Sequence, residues 1–248
     1  MSSLSAGGML SYAGKFLAMV WVTMSGVKYF LWDEEQALAD LKSAPMPLND
    51  AGFKYFETNF LRPAYNEKKV PIQVHTAVTA FIMAALIVQL VKKVRQKAMW
   101  VHRWLGRLLL IVILAALYSF AMLVHRQPNK IGRYAEYPLI FFIPYYAIKG
   151  WLEIRNKQTQ AHRSSMIMLS SCFFFFAVQR LVMLPFGFLH SDTLGPYLPL
   201  GPWKNWQEKE YETMFGHAIV LAGVITFSVA YYKAYGGSAP AKKDGKKA

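Results

Sequence analysis

The chain has 248 residues, enough for one or two soluble domains. Its 54% apolar and 15% aromatic content and positive mean hydropathy point to lipid instead. A net charge of +14 raises nucleic acid as a partner, and the distribution of the charges argues against it.

Six apolar stretches of spanning length recur, each with about the 20 residues needed to cross a hydrocarbon core of about 30 Å. They are Leu10–Leu31, Pro71–Val91, Trp104–Val124, Tyr137–Ile154, Ser165–Pro185 and Thr213–Tyr232. The sequence therefore predicts an all-α, integral membrane bundle of about six transmembrane helices, a single domain over residues 1–235. The first stretch is too long for a signal-peptide core and lacks a basic flank, so it is expected to stay as an anchor. The fourth is the weakest, being interrupted by Pro138, Pro144, Tyr145 and Tyr146. Between the first two stretches, Glu34–Leu41 has short amphipathic helical character, and Pro45, Pro47 and Pro63 interrupt the chain between it and the second stretch. The loop Phe186–Glu212 carries Trp203 and Trp206, which suit a headgroup zone. Residues 236–248 read as a disordered basic tail.

Alternating loops divide the charges between two faces. One, with both termini and the loops near 92–103 and 155–163, holds 15 Lys/Arg against two acids, Glu153 and Asp244. The other holds 10 Lys/Arg against 12 acids, and Lys15, Lys28 and Arg180 fall within spans. This segregation predicts that both termini are on the cytoplasmic or matrix side. It assigns the positive charge to topology and anionic lipid, with no role for nucleic acid. The lone cysteine, Cys172, precludes an intrachain disulfide.

The topology also sorts the six histidines. His102 and His162 begin the third and fifth spans on the basic face. His75 and His217 lie about one turn inside the other face, and His125 and His190 mark span ends there. Histidines on separate helices at matched depth are what axial haem ligation in a bundle requires. Two candidate pairs result, His102/His162 and His75/His217, roughly 20–25 Å apart along the membrane normal at about 1.5 Å per residue. Against this stands the common use of histidine at membrane interfaces, and for His75 and His217 a role in proton transfer. His125 is rotated about 140° from His102 on the same helix and cannot share its seam. Arg180 is 18 residues from His162, five turns along the same face, and must meet protein, water or an anion such as a haem propionate. Snorkelling or pairing with Glu212 is the alternative. Gly216 and Gly223 share a face and read first as close helix packing. The run Phe173–Phe176 covers every side of its helix and reads as lipid and core filler. Neither HExxH, a Gly-rich phosphate loop, GxSxG nor clustered histidine boxes occur.

The segments His102-Arg103-Trp104-Leu105-Gly106-Arg107 and Ala161-His162-Arg163-Ser164-Ser165-Met166-Ile167, followed by Gln179-Arg180-Leu181, carry a resemblance. They resemble the predicted membrane proteins of domain-of-unknown-function family 2306, whose members show an HRWLGR-like entry to one span and an AHRRWMIR-like entry to another. The likeness covers roughly residues 70–235. It departs at Ser164-Ser165, where the family tends to have Arg-Trp, and at Met168, where it has Arg. The resemblance implies that His102, His162 and Arg180 belong to a family motif, and carries no activity to transfer. The likeness to ascorbate-reducible b-type cytochromes is at fold level only.

From these readings the expected function is a haem b protein passing electrons across the membrane, with a quinone-like small molecule as partner. His102, His162, His75 and His217 would supply iron ligands, and Arg180 would neutralise an anion. The rival readings are a haem-free accessory subunit packed among other membrane-complex subunits, and a small carrier.

Overall fold

The structure, a computed structural model, describes residues 30–43, 49–66, 69–125, 129–189, 197 and 202–236. Most of the first predicted span, His190 and the tail beyond Gly236 lie outside the described residues. Every regular element among those described is helical, as the composition predicts.

Three short helices come first: α1 (Glu34–Ser43), α2 (Asp50–Phe56) and α3 (Arg62–Tyr65), the last two joined by a π-helical turn, Glu57–Leu61. Pro63 directly follows the π-helical turn, in a backbone that stays right-handed helical from α2 through α3. The long helices come next as α4 (Lys69–Leu90), α6 (Met99–His125), α7 (Lys130–Arg155), α8 (Thr159–Leu189) and α9 (Glu208–Tyr231), with a six-residue helix α5 (Lys92–Lys97) between α4 and α6. Lys69–Gln89, Met99–His125, Thr159–Met183 and Glu208–Gly236 are long and apolar enough to cross a membrane. Helix α7 matches them in length, but Arg133, Glu136, Lys149, Glu153 and Arg155 make it less apolar.

Short connections force α4, α6, α7 and α8 to alternate in direction along the chain. Helix α4 packs on α6, α6 on α7, and α7, α8 and α9 pack on one another, with α4 also reaching α8. Helix α8 is the most enclosed. Phe173, Phe174 and Phe175 are all buried, so this run fills the protein interior and not the lipid boundary, because neighbours surround α8. The outward faces are apolar instead: Ile111, Leu114, Phe141 and Val224 are exposed, as a lipid solvent allows and water would not.

At the acidic end, short helices cap the bundle. Gly52 lies so close to α9 that a Cβ there would run into the Tyr211 ring, with Cε2 and Oη both 2.7 Å away. Trp206 is buried with Tyr55, Tyr211 and Met214, so it is a core residue of this cap and not a headgroup anchor. Gly216 and Gly223 have the packing role expected of them, the first against Ile131 of α7 and the second against Phe175 of α8.

Candidate functional site

The basic end is built around the α7–α8 hairpin. Three residues, Asn156, Lys157 and Gln158, make the turn, with Lys157 in the left-handed region at φ 60°. Gln158 N–H closes it by donating to the Glu153 carbonyl at 2.8 Å. This tight reversal brings the first turns of α8 opposite the last turns of α7. Gly150 makes the approach close, since a Cβ there would collide with Met166 and lie 3.6 Å from His162 Nδ1.

His162 Nδ1 is 2.7 Å from the Gly150 carbonyl oxygen. A carbonyl can only accept, so Nδ1 carries the hydrogen, and in the neutral ring Nε2 keeps its lone pair. Backbone carbonyls orient metal-bound histidines in the same way. His102, on the first turns of α6, lies close enough to His162 to feel its charge. Its Nδ1 is buried and has no hydrogen-bond partner among the described residues. Its backbone is held in turn: Gln89 Nε2 of α4 donates to the His102 carbonyl at 2.7 Å. Arg95 and Arg103 add positive charge nearby. One turn along α7 from Gly150, buried Glu153 accepts from Ser165 Oγ at 2.6 Å and has Lys149 Nζ at 3.9 Å. Polar contacts thus join α4 to α6 and α7 to α8, and the charge interaction of His102 with His162 links the two pairs. Sequence reasoning found both histidines but missed Gly150, Glu153 and Ser165; only the unusual acid on the basic face signalled any of these.

The other predicted pair is differently placed. His75 on α4 faces α6, its Nδ1 3.2 Å from Ser119 Oγ and its ring stacked on Phe120 at 6.2 Å between centroids. Ser119 spends its single hydrogen on the Ala116 carbonyl at 2.9 Å, so the His75 ring is the donor and Nε2 again keeps its lone pair. Beside it is a cavity of about 20 Å³, lined by Thr79, Cys172, Phe173 and Phe176 among others, room for about one water. His217 does not line that cavity and is exposed on α9, in a stripe with Val220, Leu221 and Val224. The two are therefore not brought together around His75. Arg180 is exposed and folds back on its own helix, Nη1 donating to the Phe176 carbonyl at 3.1 Å, and it lies within electrostatic reach of His75. His125 is exposed at the end of α6, 3.4 Å from Tyr137 Oη. No group of three or more metal-binding side chains occurs among the described residues.

The helices that hold this cluster are the ones a known family shares. The model for the predicted membrane protein family DUF2306 matches residues 72–207. The chain belongs to that family. The DUF2306 match covers most of α4 and all of α5 to α8, and with them His75, His102, His162 and Arg180. It ends before α9, short of the 70–235 that the motifs suggest, and so leaves His217 outside. No curated protein and no solved structure matches the chain. As a DUF2306 member it is a membrane protein with several apolar helices.

Proposed function

We propose that this DUF2306 protein is a six-span electron-transfer protein in which His102 and His162 hold a haem b at the basic, cytoplasmic or matrix, end of the bundle. The observation that carries the reading is the 2.7 Å contact of His162 Nδ1 with the Gly150 carbonyl. It leaves the Nε2 lone pair available as an iron ligand, within electrostatic reach of a His102 whose buried Nδ1 has no hydrogen-bond partner among the described residues. Such an orphan costs about 1–3 kcal/mol unless something satisfies it. Arg95 and Arg103 supply the positive field that carboxylates of a haem edge favour. When bound, the haem supplies one-electron exchange, with a quinone-like molecule as the donor or acceptor. This chain's residues do the rest: Gly150 fixes the His162 tautomer, Gln89 anchors the His102 turn, and the Glu153–Ser165 contact holds α7 to α8. His75, with Ser119 and a water-sized cavity, fits proton exchange better than ligation, and Arg180 gives that region its positive charge.

Expression with added haem and extraction of the purified, folded protein tests this. Stoichiometric haem b is expected; well-folded protein without it sinks the proposal. A second reading, a haem-free accessory subunit, is favoured by one observation, the exposure of His217 within an apolar stripe. A partner helix covering that stripe would satisfy the imidazole, and stoichiometric co-purification of another membrane subunit would support it.

A further inference from the structure

The outward side of α6 and α7 carries a second feature at the basic end, separate from the histidine cluster. Trp104 stands 21 residues before the end of α6, and Trp151 stands 21 residues after the start of α7. The two helices pack on each other and are joined by a short connection, so the tryptophans lie at one depth. Both rings are exposed, at the level where indole rings meet lipid headgroups.

Each ring carries an arginine. Arg107 is rooted about one turn deeper than Trp104 and reaches back towards the basic end, its guanidinium 5.3 Å from the ring centroid. Arg155 is rooted about one turn nearer the end of the bundle and reaches inward over Trp151, at 4.9 Å. The two guanidinium groups therefore come to one level from opposite sides. Both side chains are exposed, and neither has a hydrogen bond or ion pair with any described residue. Stacking on a ring satisfies none of the five N–H donors that lie in the plane of each guanidinium. Glu153, the one acid among the described residues of this end, is buried on Ser165.

Below this level the outward faces turn apolar. Leu108, Ile111 and Leu114 continue the stripe of Trp104 along α6, and Ile148 and Phe141 continue that of α7, all of them exposed. Planar donors at headgroup depth, above two apolar stripes, match the two halves of a phospholipid. We infer that the outward groove between α6 and α7 binds an anionic phospholipid, its phosphate held by Arg107 and Arg155 and its acyl chains along the two stripes. Charge selects the class of lipid. A headgroup without a cation leaves its phosphate to the two arginines, whereas the quaternary ammonium of phosphatidylcholine competes with them. The apolar stripes select a lipid over free phosphate. This site does not depend on the haem reading.

Full-length protein in nanodiscs of equal phosphatidylglycerol and phosphatidylcholine, released into a native mass spectrometer, tests the inference. Retained phosphatidylglycerol is expected to exceed phosphatidylcholine about tenfold or more, the worth of one hydrogen bond between charged groups. Arg107→Gln and Arg155→Gln together remove the preference, and each alone lowers it about threefold. Both positions are exposed and free of protein ion pairs, so these variants fold, which their thermal midpoints check. Lys157→Gln, an equal loss of charge at the exposed α7–α8 turn, keeps the preference and separates a site from the general attraction of a basic surface. Brominated phosphatidylglycerol also quenches the tryptophan fluorescence more than brominated phosphatidylcholine, an excess that Trp104→Phe with Trp151→Phe abolishes. Equal retention of the two lipids, a preference that survives loss of both arginines, or an equal fall in Lys157→Gln overturns the inference.

Discussion

His162 and Gly150 form the contact on which the basic end is organised: the imidazole Nδ1 donates to the carbonyl at 2.7 Å because residue 150 has no side chain to keep α8 away. Gly150→Ala tests this relationship. Alanine gains about 1 kcal/mol in helix propensity, but its methyl must displace Met166, and overpacking of this kind costs about 1–3 kcal/mol. A lower thermal midpoint and reduced haem content are expected; a variant as stable as wild type with full haem content would show that close approach is unnecessary.

Lys157 is the one described non-glycine residue with positive φ. An L-residue in that region carries about 1–2 kcal/mol of strain, part of which glycine relieves at the cost of unfolded-chain entropy. Lys157→Gly is expected to stabilise by about 0.5–1 kcal/mol, read as a raised midpoint in denaturant. Destabilisation would mean that the lysine side chain contributes more than its backbone costs.

Two asparagines clamp the acidic end in the same manner. Asn49 caps α2 through the Gly52 N–H at 2.8 Å while its Nδ2 donates to carbonyls of Trp203, Lys204 and Trp206. Asn129, with no exposed surface, caps α7 and holds the Glu212 carbonyl of α9. Either change to alanine removes a cap worth about 1 kcal/mol and strands buried carbonyls, so about 2–3 kcal/mol is expected for Asn129→Ala and less for the half-buried Asn49. Urea titration in detergent reads the difference, and equal small losses would contradict the clamp.

Burial, opposed in part by the neighbouring Asn129 amide and reinforced by Glu212, raises the Tyr55 phenol from 10.0 to about 12. The folded state therefore holds this proton more tightly than the unfolded chain. Its contribution is fully present below pH 10 and is lost as pH rises towards about 12. Tyr55→Phe should flatten the alkaline fall in stability across that window and leave neutral stability unchanged. An equally steep fall in the variant would show that other groups govern it.

The periodic apolar stretches made α4, α6, α8 and α9 legible, because a spanning helix needs sustained hydrophobicity and little else. Helix α7 was harder to read, since Pro138, Pro144, Tyr145 and Tyr146 interrupt its apolar stretch; the helix nevertheless continues through both prolines, and Glu136 and Glu153, buried in the bundle, lower its apolar character further. Matched depth identified His102 and His162, but depth alone gives no azimuth. It paired His75 with His217 equally well, whereas helix rotation turns His75 towards Ser119 and leaves His217 exposed. Gly150 and Tyr55 had no signal in the sequence, for their importance comes from what packs against them. Trp206 suits a headgroup zone by its chemistry, and the run Phe173–Phe176 suits lipid and core alike; only the packing shows that Trp206 and Phe173–Phe175 are core residues.

The reduced-minus-oxidised visible spectrum of the haem-supplemented protein, recorded for wild type, His102→Ala, His162→Ala and His125→Ala, tests the central claim most directly. A b-type band in wild type that is lost in the first two variants and kept in the third is the predicted result. A folded wild type without the band, or a band that survives both His102→Ala and His162→Ala, would contradict it.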